Sequence, residues 1–553
     1  MAASFSATPA ATPAAPAAAP STRPALPLDL LIVGAGLAGL CMLHKARRQG
    51  LNALVIEAAG GVGGTWYFNR YPGARVDIQS MEYSFGFDEA LQQHWHWTER
   101  YAAQPELLRY ANHVADRFAL RDGILLNTRL AGAAFDEASQ RWRAVAEGGQ
   151  AWAARFLVMA SGPLSSPNQP DFPGLARYTG RVLHTARWPH EAVDFTGLRV
   201  GVIGTGSSAV QAIPVIAEVA AQVTVFQRTA SYAVPAHNGP LDADFEAGIK
   251  ADYAGFRARN QRMMGGFGSL QPPNMISAMA VSPEQRQAMF EERWRIGGFG
   301  LLGTFHDLIV NPAANELAAE FVRGKIRETV HNPATAEALC PRHPIGCKRL
   351  CVDTNYYATY NRPNVALVNL QTSPIEQFTP SGLVAGGLAH DVDALVLATG
   401  FDAMTGTLLK LNLRGRGGQT IQAKWQAGPL NYLGLTVAGF PNLFNIAGPG
   451  STAAFTNVIV AIEHHVSWIA DCIAHLDAHG LATIEANADA EAAWAVHVNT
   501  VAARTVYLSC NSWYLGANIP GKPRMFMPLF GYPAYVEKCA QVAAQGYAGF
   551  TLA

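Results

Sequence analysis

LDLLIVGAGLAGL, from Leu28 to Leu40, decides the fold. Six residues of apolar strand run into a glycine turn, and the turn runs into a helix carrying Leu40 and Leu43. ALVIEAA follows as the next strand and ends near Glu57, which completes the opening of a doubly wound β-α-β unit. The same grammar returns at LRVGVIGTGSSAVQ, from Leu198, with QVTVFQR as its second strand. Two such turns in one chain predict an α/β protein with two doubly wound, Rossmann-like dinucleotide-binding domains.

The turns carry chemistry. Gly34 permits the first turn, Gly36 lets backbone approach a pyrophosphate, and Gly39 lets the helix pack closely. The phosphate charge then sits at a helix N-terminus. Glu57, about twenty residues on, offers a carboxylate to ribose hydroxyls, and the N-terminal position favours FAD. The second turn reads Gly204, Thr205, Gly206, Ser207, Ser208, with Ala209 where the third glycine would stand. After its second strand comes Arg228, then Thr229, where an acid would stand for a bare ribose. An acid would repel a 2′-phosphate and an arginine binds one, so the second site is read as taking NADPH rather than NADH.

Composition excludes other classes. The 553 residues are 49% hydrophobic and only 15% charged, with 41 basic and 41 acidic side chains. A nucleic-acid binder carries a basic excess, and a disordered chain has low hydrophobicity or high net charge. Seven cysteines form no CxxC pair; Cys347 and Cys351 are four apart with nothing to complete a metal site, so no metal is expected and the thiols are read as reduced, in a cytoplasmic protein. The most apolar long run, Val458 to Leu476, is interrupted by Glu463, His464, His465 and Asp471, so no membrane span is expected. Residues 1–27, rich in Ala and Pro, read as a disordered tail. Between Leu241 and Pro341 the pattern turns helical. SPEQ at Ser282 to Gln285 is a capping box, and Asn311 caps a helix whose Leu317, Phe321, Val322, Ile326 and Val330 share one face.

Two further stretches name a family. GGTWYFNRYPGARVD, from Gly63 to Asp77, fits G-G-x-W-x(4)-[FY]-P-G-x(3)-D, and YTGRVLHTARWP, from Tyr178 to Pro189, fits x-x-G-x(3)-H-x(3)-W-P. Flanked by the two glycine turns, they resemble the fingerprints of type I Baeyer–Villiger monooxygenases, with Tyr178 where the second usually starts with Phe. ATGFDA, GCKRLCVDTNYY, GFPNLFNIAGPGS and SWYLGANIPGKPR extend the resemblance over nearly the whole chain after the tail. It implies conversion of ketones to esters or lactones with O2 and NADPH, through a C4a-peroxyflavin and a tetrahedral (Criegee) adduct. It also implies a discontinuous FAD domain (28–165 and 397–553), an NADPH domain (166–235 and 342–396) and a helical insertion (236–341). The alternative is a flavin monooxygenase that oxidises sulfur or nitrogen.

The resemblance assigns roles. Arg349 would stabilise negative oxygen as a permanently charged guanidinium, and Asp77 would hold it. Gly64, Thr65, Trp66 and Asp77 would join the FAD site; Lys348 would meet the 2′-phosphate beside Arg228; Trp513 would close over NADP. Ala453, Ala454, Phe455 and Val458 match the substrate-pocket bulge, with room for a bulky or aromatic ketone. Gly180, His184 and Trp188 are expected in an interdomain linker, where His184 orients domains or is simply a satisfied structural histidine. The expected partners are a ketone and O2, with no nucleic acid and no membrane, and the chain is expected to be a monomer or weak homo-oligomer.

Overall fold

The structure, a computed structural model, describes residues 27–553. The tail expected over residues 1–27 lies outside them except for Pro27, whose carbonyl accepts a hydrogen bond from Asn52. Strand Leu28–Val33, helix Leu37–Arg48 and strand Ala53–Ile56 form where the first glycine turn places them. Gly34 has φ +108°, and a side chain there would stand 2.7 Å from the Ala160 carbonyl. A Cβ on Gly39 would lie 1.8 Å from the Gly34 carbonyl oxygen, so only glycine lets the helix seat on its strand.

Two sheets organise the chain. In the first, the parallel strands Ile124–Leu125, Ala53–Ile56, Leu28–Val33, Ala151–Met159 and Leu443–Asn445 lie side by side. An antiparallel meander through Leu130–Asp136 and Arg141–Ala146 widens it. The period of two divides its side chains: Leu30, Ile32 and Val158 face one core with helices Leu37–Arg48 and Val458–Ala478, while Leu31, Leu157 and Met159 face a second core. In the second sheet, strands 365–369, 222–227, 199–203, 394–397 and 181–184 are all parallel, in that order. Val200, Val202, Val225 and Val396 point to one face and Ile203, Phe226 and Leu397 to the other. Purely parallel strands covered on both faces read as the apolar runs seen in the sequence.

Between the sheets the chain crosses twice, and the crossings touch. Asn168 N–H donates to the Gly400 carbonyl at 2.9 Å, and Pro167 pairs with Phe401. His184 holds them together. Its Nδ1 accepts from Ala186 N–H at 3.0 Å, so Nε2 carries the proton and faces the Asn168 carbonyl and the Thr399 hydroxyl, each at 3.2 Å. Burial pushes its pKa down, against the pull of Asn168, which fits this neutral, structural state.

Two expectations need correction. The second fingerprint is only partly a linker: Arg181–His184 is the outer strand of the second sheet, paired with Ala394–Leu397. Gly180 is required there because a Cβ would meet the Tyr178 hydroxyl and the Asp393 carbonyl. The helical segment packs on two cores. Its first part (Ile249, Tyr253, Phe256) joins the first core, and its later helices (Phe290, Ala318, Phe321, Val322) pack with Val200, Val202 and Val225 of the second sheet. The predicted caps are present: Ser282 and Gln285 form the box, and Asn311 accepts from Ala313 N–H. Finally, the cysteines are not all thiols. Cys347 and Cys510 form a disulfide with Cα atoms 6.2 Å apart, while Cys41, Cys340, Cys351, Cys472 and Cys539 are free and buried. The partners are 163 residues apart in sequence, so only the tertiary approach of two loops makes the pair.

Among the described residues, no helix is long and apolar enough to cross a membrane, and no cluster of three His, Cys, Asp or Glu could hold a metal.

Candidate active site

Asp77 sits in a bend just after the Arg75–Ala103 bridge, flanked by Val76 and Ile78, which are buried in the first core. Arg349 comes from the other side, just before strand Cys351–Asp353, which pairs in parallel with Ala233–Pro235 and closes the helical segment at its base. The two side chains meet across 272 residues. Arg349 Nε donates to Asp77 Oδ2 at 2.6 Å and Nη2 to Oδ1 at 2.9 Å, a bidentate fork. Nη1 donates to the Ala454 carbonyl at 3.0 Å, and the guanidinium lies 5.0 Å over the Phe299 ring. Burial alone would lower the Arg349 pKa, but the field and hydrogen bonds of Asp77 outweigh it and hold the pKa above the ordinary value. The guanidinium is therefore a fixed positive charge. Three of its five N–H donors are committed, leaving two to point elsewhere.

Aromatic rings wall this pair. Phe455 stacks on Tyr507 at 4.5 Å and packs on Tyr514 at 4.7 Å, with Phe526 and Phe530 near 6 Å. The Tyr507 and Tyr514 phenols are buried, which raises both pKa values; Arg349 pulls the other way from nearby. They stay neutral. Trp513 packs against Tyr514 with ring centroids 4.3 Å apart.

A cavity of about 450 Å³ opens at the first glycine turn. Gly34, Gly36, Glu57, Gly64, Thr65, Trp66, Trp188 and Val458 line it, so both fingerprints reach the space at the first glycine turn. The residues fit a flavin dinucleotide. Gly36 and Gly64 face each other so closely that a Cβ on Gly64 would lie 2.8 Å from the Gly36 Cα, which keeps the cradle bare. The N-terminus of helix Leu37–Arg48 opens on it, with first-turn N–H groups free for a pyrophosphate. Glu57 is buried and accepts from Ala35 N–H at 2.6 Å and Ala59 N–H at 2.7 Å, which orients its carboxylate toward the turn.

The second turn fits a phosphorylated dinucleotide. A Cβ at Gly204 would strike the Ala398 carbonyl, whereas one at Gly206 would meet only open space. Thr205 ties the turn to the Thr229 carbonyl at 2.6 Å, and Ser207 reaches Cys351 Sγ at 3.6 Å. The Tyr71 phenol, close to Ser208, donates to Gln211 Oε1 at 2.8 Å, and burial pushes its pKa up to about 12. Lys348 lies within electrostatic reach of Arg228; burial first, and that positive neighbour second, lower its pKa. Two cations within reach of each other are what an anionic phosphate would need.

Not every expected residue faces the site. Val458 lines the dinucleotide cavity as the first residue of its helix, not the aromatic wall. Ala453 packs inward with Ala447 and Ala461. Only Ala454, through its carbonyl, and Phe455, through its ring, reach Arg349 or its wall. Sequence reasoning missed Tyr507, Tyr514 and His465. His465 is buried; its Nδ1 accepts from Ala447 N–H at 3.1 Å, and its Nε2–H meets the Tyr535 hydroxyl at 2.9 Å, which donates to the Leu433 carbonyl. It thereby holds Ala447, a cavity-lining residue at φ +60°, in a left-handed turn. Burial, aided by His464, drives its pKa far down, so it stays neutral. A histidine inside an apolar helix was the available signal.

A glycine-turn cavity that fits a flavin dinucleotide, a second glycine turn and a fixed cation together define a flavin- and pyridine-nucleotide-dependent oxidoreductase. Residues 31–247 match the pyridine nucleotide-disulphide oxidoreductase family. The chain is 41% identical to a Baeyer–Villiger monooxygenase of Pseudooceanicola batsensis, over 94% of this chain and 95% of that one. It is also 41% identical to the phenazine N-monooxygenase of Lysobacter antibioticus, over 95% of this chain and 97% of that one. A solved steroid monooxygenase bound to NADP is 50% identical and superposes with a TM-score of 0.91, covering 95% of this chain and 99% of that one. The chain belongs to the Baeyer–Villiger monooxygenases, FAD- and NADP-dependent enzymes that turn ketones into esters or lactones with O2.

Proposed function

We propose that Arg349, held by Asp77, is the group that carries the negative charge developing on oxygen while a ketone becomes an ester. The bidentate fork supports this reading: it fixes a permanent cation and leaves two N–H donors uncommitted. Bound FAD, once reduced by NADPH, supplies the activated oxygen. The chain's residues do the rest. The turn from Gly34 to Ala38 holds the FAD pyrophosphate and Glu57 its ribose, with Gly64, Thr65 and Trp66 closing the cradle. Arg228 and Lys348 take the NADPH 2′-phosphate. The aromatic wall and Trp513 exclude water and receive the carbon skeleton of the ketone.

A wall of five rings favours a flat, aryl or polycyclic ketone over a small aliphatic one. The steroid monooxygenase likeness points the same way. A second reading, oxidation of an aromatic nitrogen, is favoured by the phenazine N-monooxygenase likeness. Residues 28–165 and 397–553 are assigned to the FAD part, and 166–235 with 342–396 to the NADPH part. A cytoplasmic, monomeric or weakly associating protein is proposed, to be checked by fractionation and gel filtration. The deciding experiment offers linear, cyclic, aryl and polycyclic ketones and one nitrogen heteroaromatic, with product identification. Esters from Arg349→Ala at the wild-type rate would overturn the assignment.

A further inference from the structure

Cys347 stands two residues before Arg349, and Cys510 three residues before Trp513. Their disulfide is the covalent tie between the arginine segment and the loop that carries Trp513 and Tyr514. We propose that Cys347 and Cys510 are positioning residues whose bond, made and broken by thiol chemistry, sets how tightly that loop closes beside Arg349. The proposal rests on the roles given above to Arg349 and Trp513.

Three observations carry it. First, the loop's other anchors lie elsewhere. Val506 N–H donates to the Ile309 carbonyl at 2.9 Å, in the helical segment. Asn518 donates to the Phe401 carbonyl, and Lys522 pairs with Asp402 at 2.6 Å, at the return crossing. Cutting the disulfide therefore leaves the loop attached at both ends but frees its middle from the arginine segment. Second, the pair is built for exchange. Cys510 is partly exposed, so an external thiolate can reach it, whereas Cys347 is fully buried. His343 Nδ1 lies 3.5 Å from Cys347 Sγ, placed to exchange a proton with that sulfur when it leaves. Third, the remaining cysteines are buried, and burial raises their thiol pKa values, so they do not compete.

The chemistry balances. In reduction, a dithiol attacks Cys510 Sγ, the sulfur–sulfur bond breaks, and the electron pair leaves on Cys347 Sγ, which takes up a proton. The second thiol of the reductant then releases Cys510 as a thiol and leaves the reductant as a cyclic disulfide. In oxidation, the two thiols give two electrons and two protons to hydrogen peroxide, forming the disulfide and two waters. Hydrogen peroxide is what this enzyme class releases when reduced cofactor meets O2 without transferring oxygen to substrate. Leakage would then close the loop that prevents leakage.

The test uses the FAD-loaded full chain. Thiol titration after unfolding should rise from five to seven on prior treatment with a dithiol, and return to five after hydrogen peroxide. Chymotrypsin cleavage within the loop's middle, at Tyr507, Trp513 or Tyr514, in the presence of NADP⁺, should speed up several-fold in the reduced protein. Ester formed per NADPH consumed should fall, and the KM for NADPH should rise, while the rate of flavin reduction at saturating NADPH holds. Cys510→Ser should behave as the reduced form and ignore both reagents. Seven thiols at all times, or a Cys510→Ser protein that cleaves and couples like the oxidised wild type, would overturn the proposal. Arg349→Ala separates the two readings. If it still makes ester, the arginine assignment fails by itself; if it makes none while Cys510→Ser is indistinguishable from wild type, only the cysteine proposal fails.

Discussion

Arg349→Lys keeps the positive charge and removes the geometry, so it isolates what the guanidinium fork contributes. In the wild type, Nε and Nη2 hold Asp77 at 2.6 and 2.9 Å, and Nη1 holds the Ala454 carbonyl at 3.0 Å, so the remaining donors are aimed without further adjustment. A lysine has three donors on one nitrogen and no fork. It can satisfy Asp77 or face the reacting oxygen, but not both. Each charge-assisted hydrogen bond lost from the pair costs about 1.5–3 kcal/mol, which shows as a lower melting temperature. Loss of one aimed donor to a developing oxyanion costs roughly 10²–10³ in rate, about 2.7–4 kcal/mol. The assay follows NADPH oxidation by absorbance, ester by gas chromatography and hydrogen peroxide by a coupled peroxidase. NADPH should still be consumed, with hydrogen peroxide replacing nearly all the ester. Ester formation within about tenfold of wild type would refute the argument, because charge alone would then suffice.

Arg228→Ala removes one of two cations from the proposed phosphate site, so the KM for NADPH should rise about tenfold or more while that for NADH stays constant; an equal rise for both would remove the phosphate contact. Gly39→Ala drives a methyl to within 1.8 Å of the Gly34 carbonyl oxygen, so the purified protein should lose its 450 nm flavin absorbance, and full retention would show that the helix can shift without cost. Glu82 is buried, and burial pushes its pKa from 4.5 up to about 7 despite hydrogen bonds from Gly268 and Asn260 and the fields of Arg100 and Arg257. Its folded pKa exceeds its unfolded one, so stability is lost as pH rises from about 4.5 through 7, on the order of 3 kcal/mol in all. Glu82→Gln should therefore gain melting temperature over wild type between pH 5 and 8; parallel curves would contradict the shift.

Local features were legible because local forces produce them. Gly34 and Gly204 stand at φ +108° and +114°, Gly39 meets the Gly34 carbonyl five residues back, and the Ser282 and Asn311 caps satisfy donors two or three residues away. What escaped was whatever depends on which loop meets which. Cys347 finds Cys510 across 163 residues, and no spacing rule covers that. The strand at Arg181–His184 is four residues long and was hidden by its own fingerprint, which draws the eye to His184 and Trp188. Ala453 and Phe455 are two residues apart, yet one packs on Ala447 and the other on Tyr507, because the chain there is turning rather than extended.

These long-range meetings share a cause. The first sheet needs strand Leu443–Asn445 from the far end of the chain, and the second needs Ala394–Leu397 from after the helical segment, so the chain must cross between them and return. The crossings pair at Asn168 and Gly400 and are locked by His184, while Trp188 N–H reaches back to the Phe68 carbonyl beside the FAD cradle. The residues proposed for catalysis sit on either side of this seam: Asp77 with the first sheet, Arg349 with the strand that closes the helical segment, Trp513 on the C-terminal loop. A guanidinium bridging such a seam reports the relative position of both halves. An enzyme that must first receive hydride from one cofactor and then shield the other from water has reason to place its charge there, because moving the halves moves the charge.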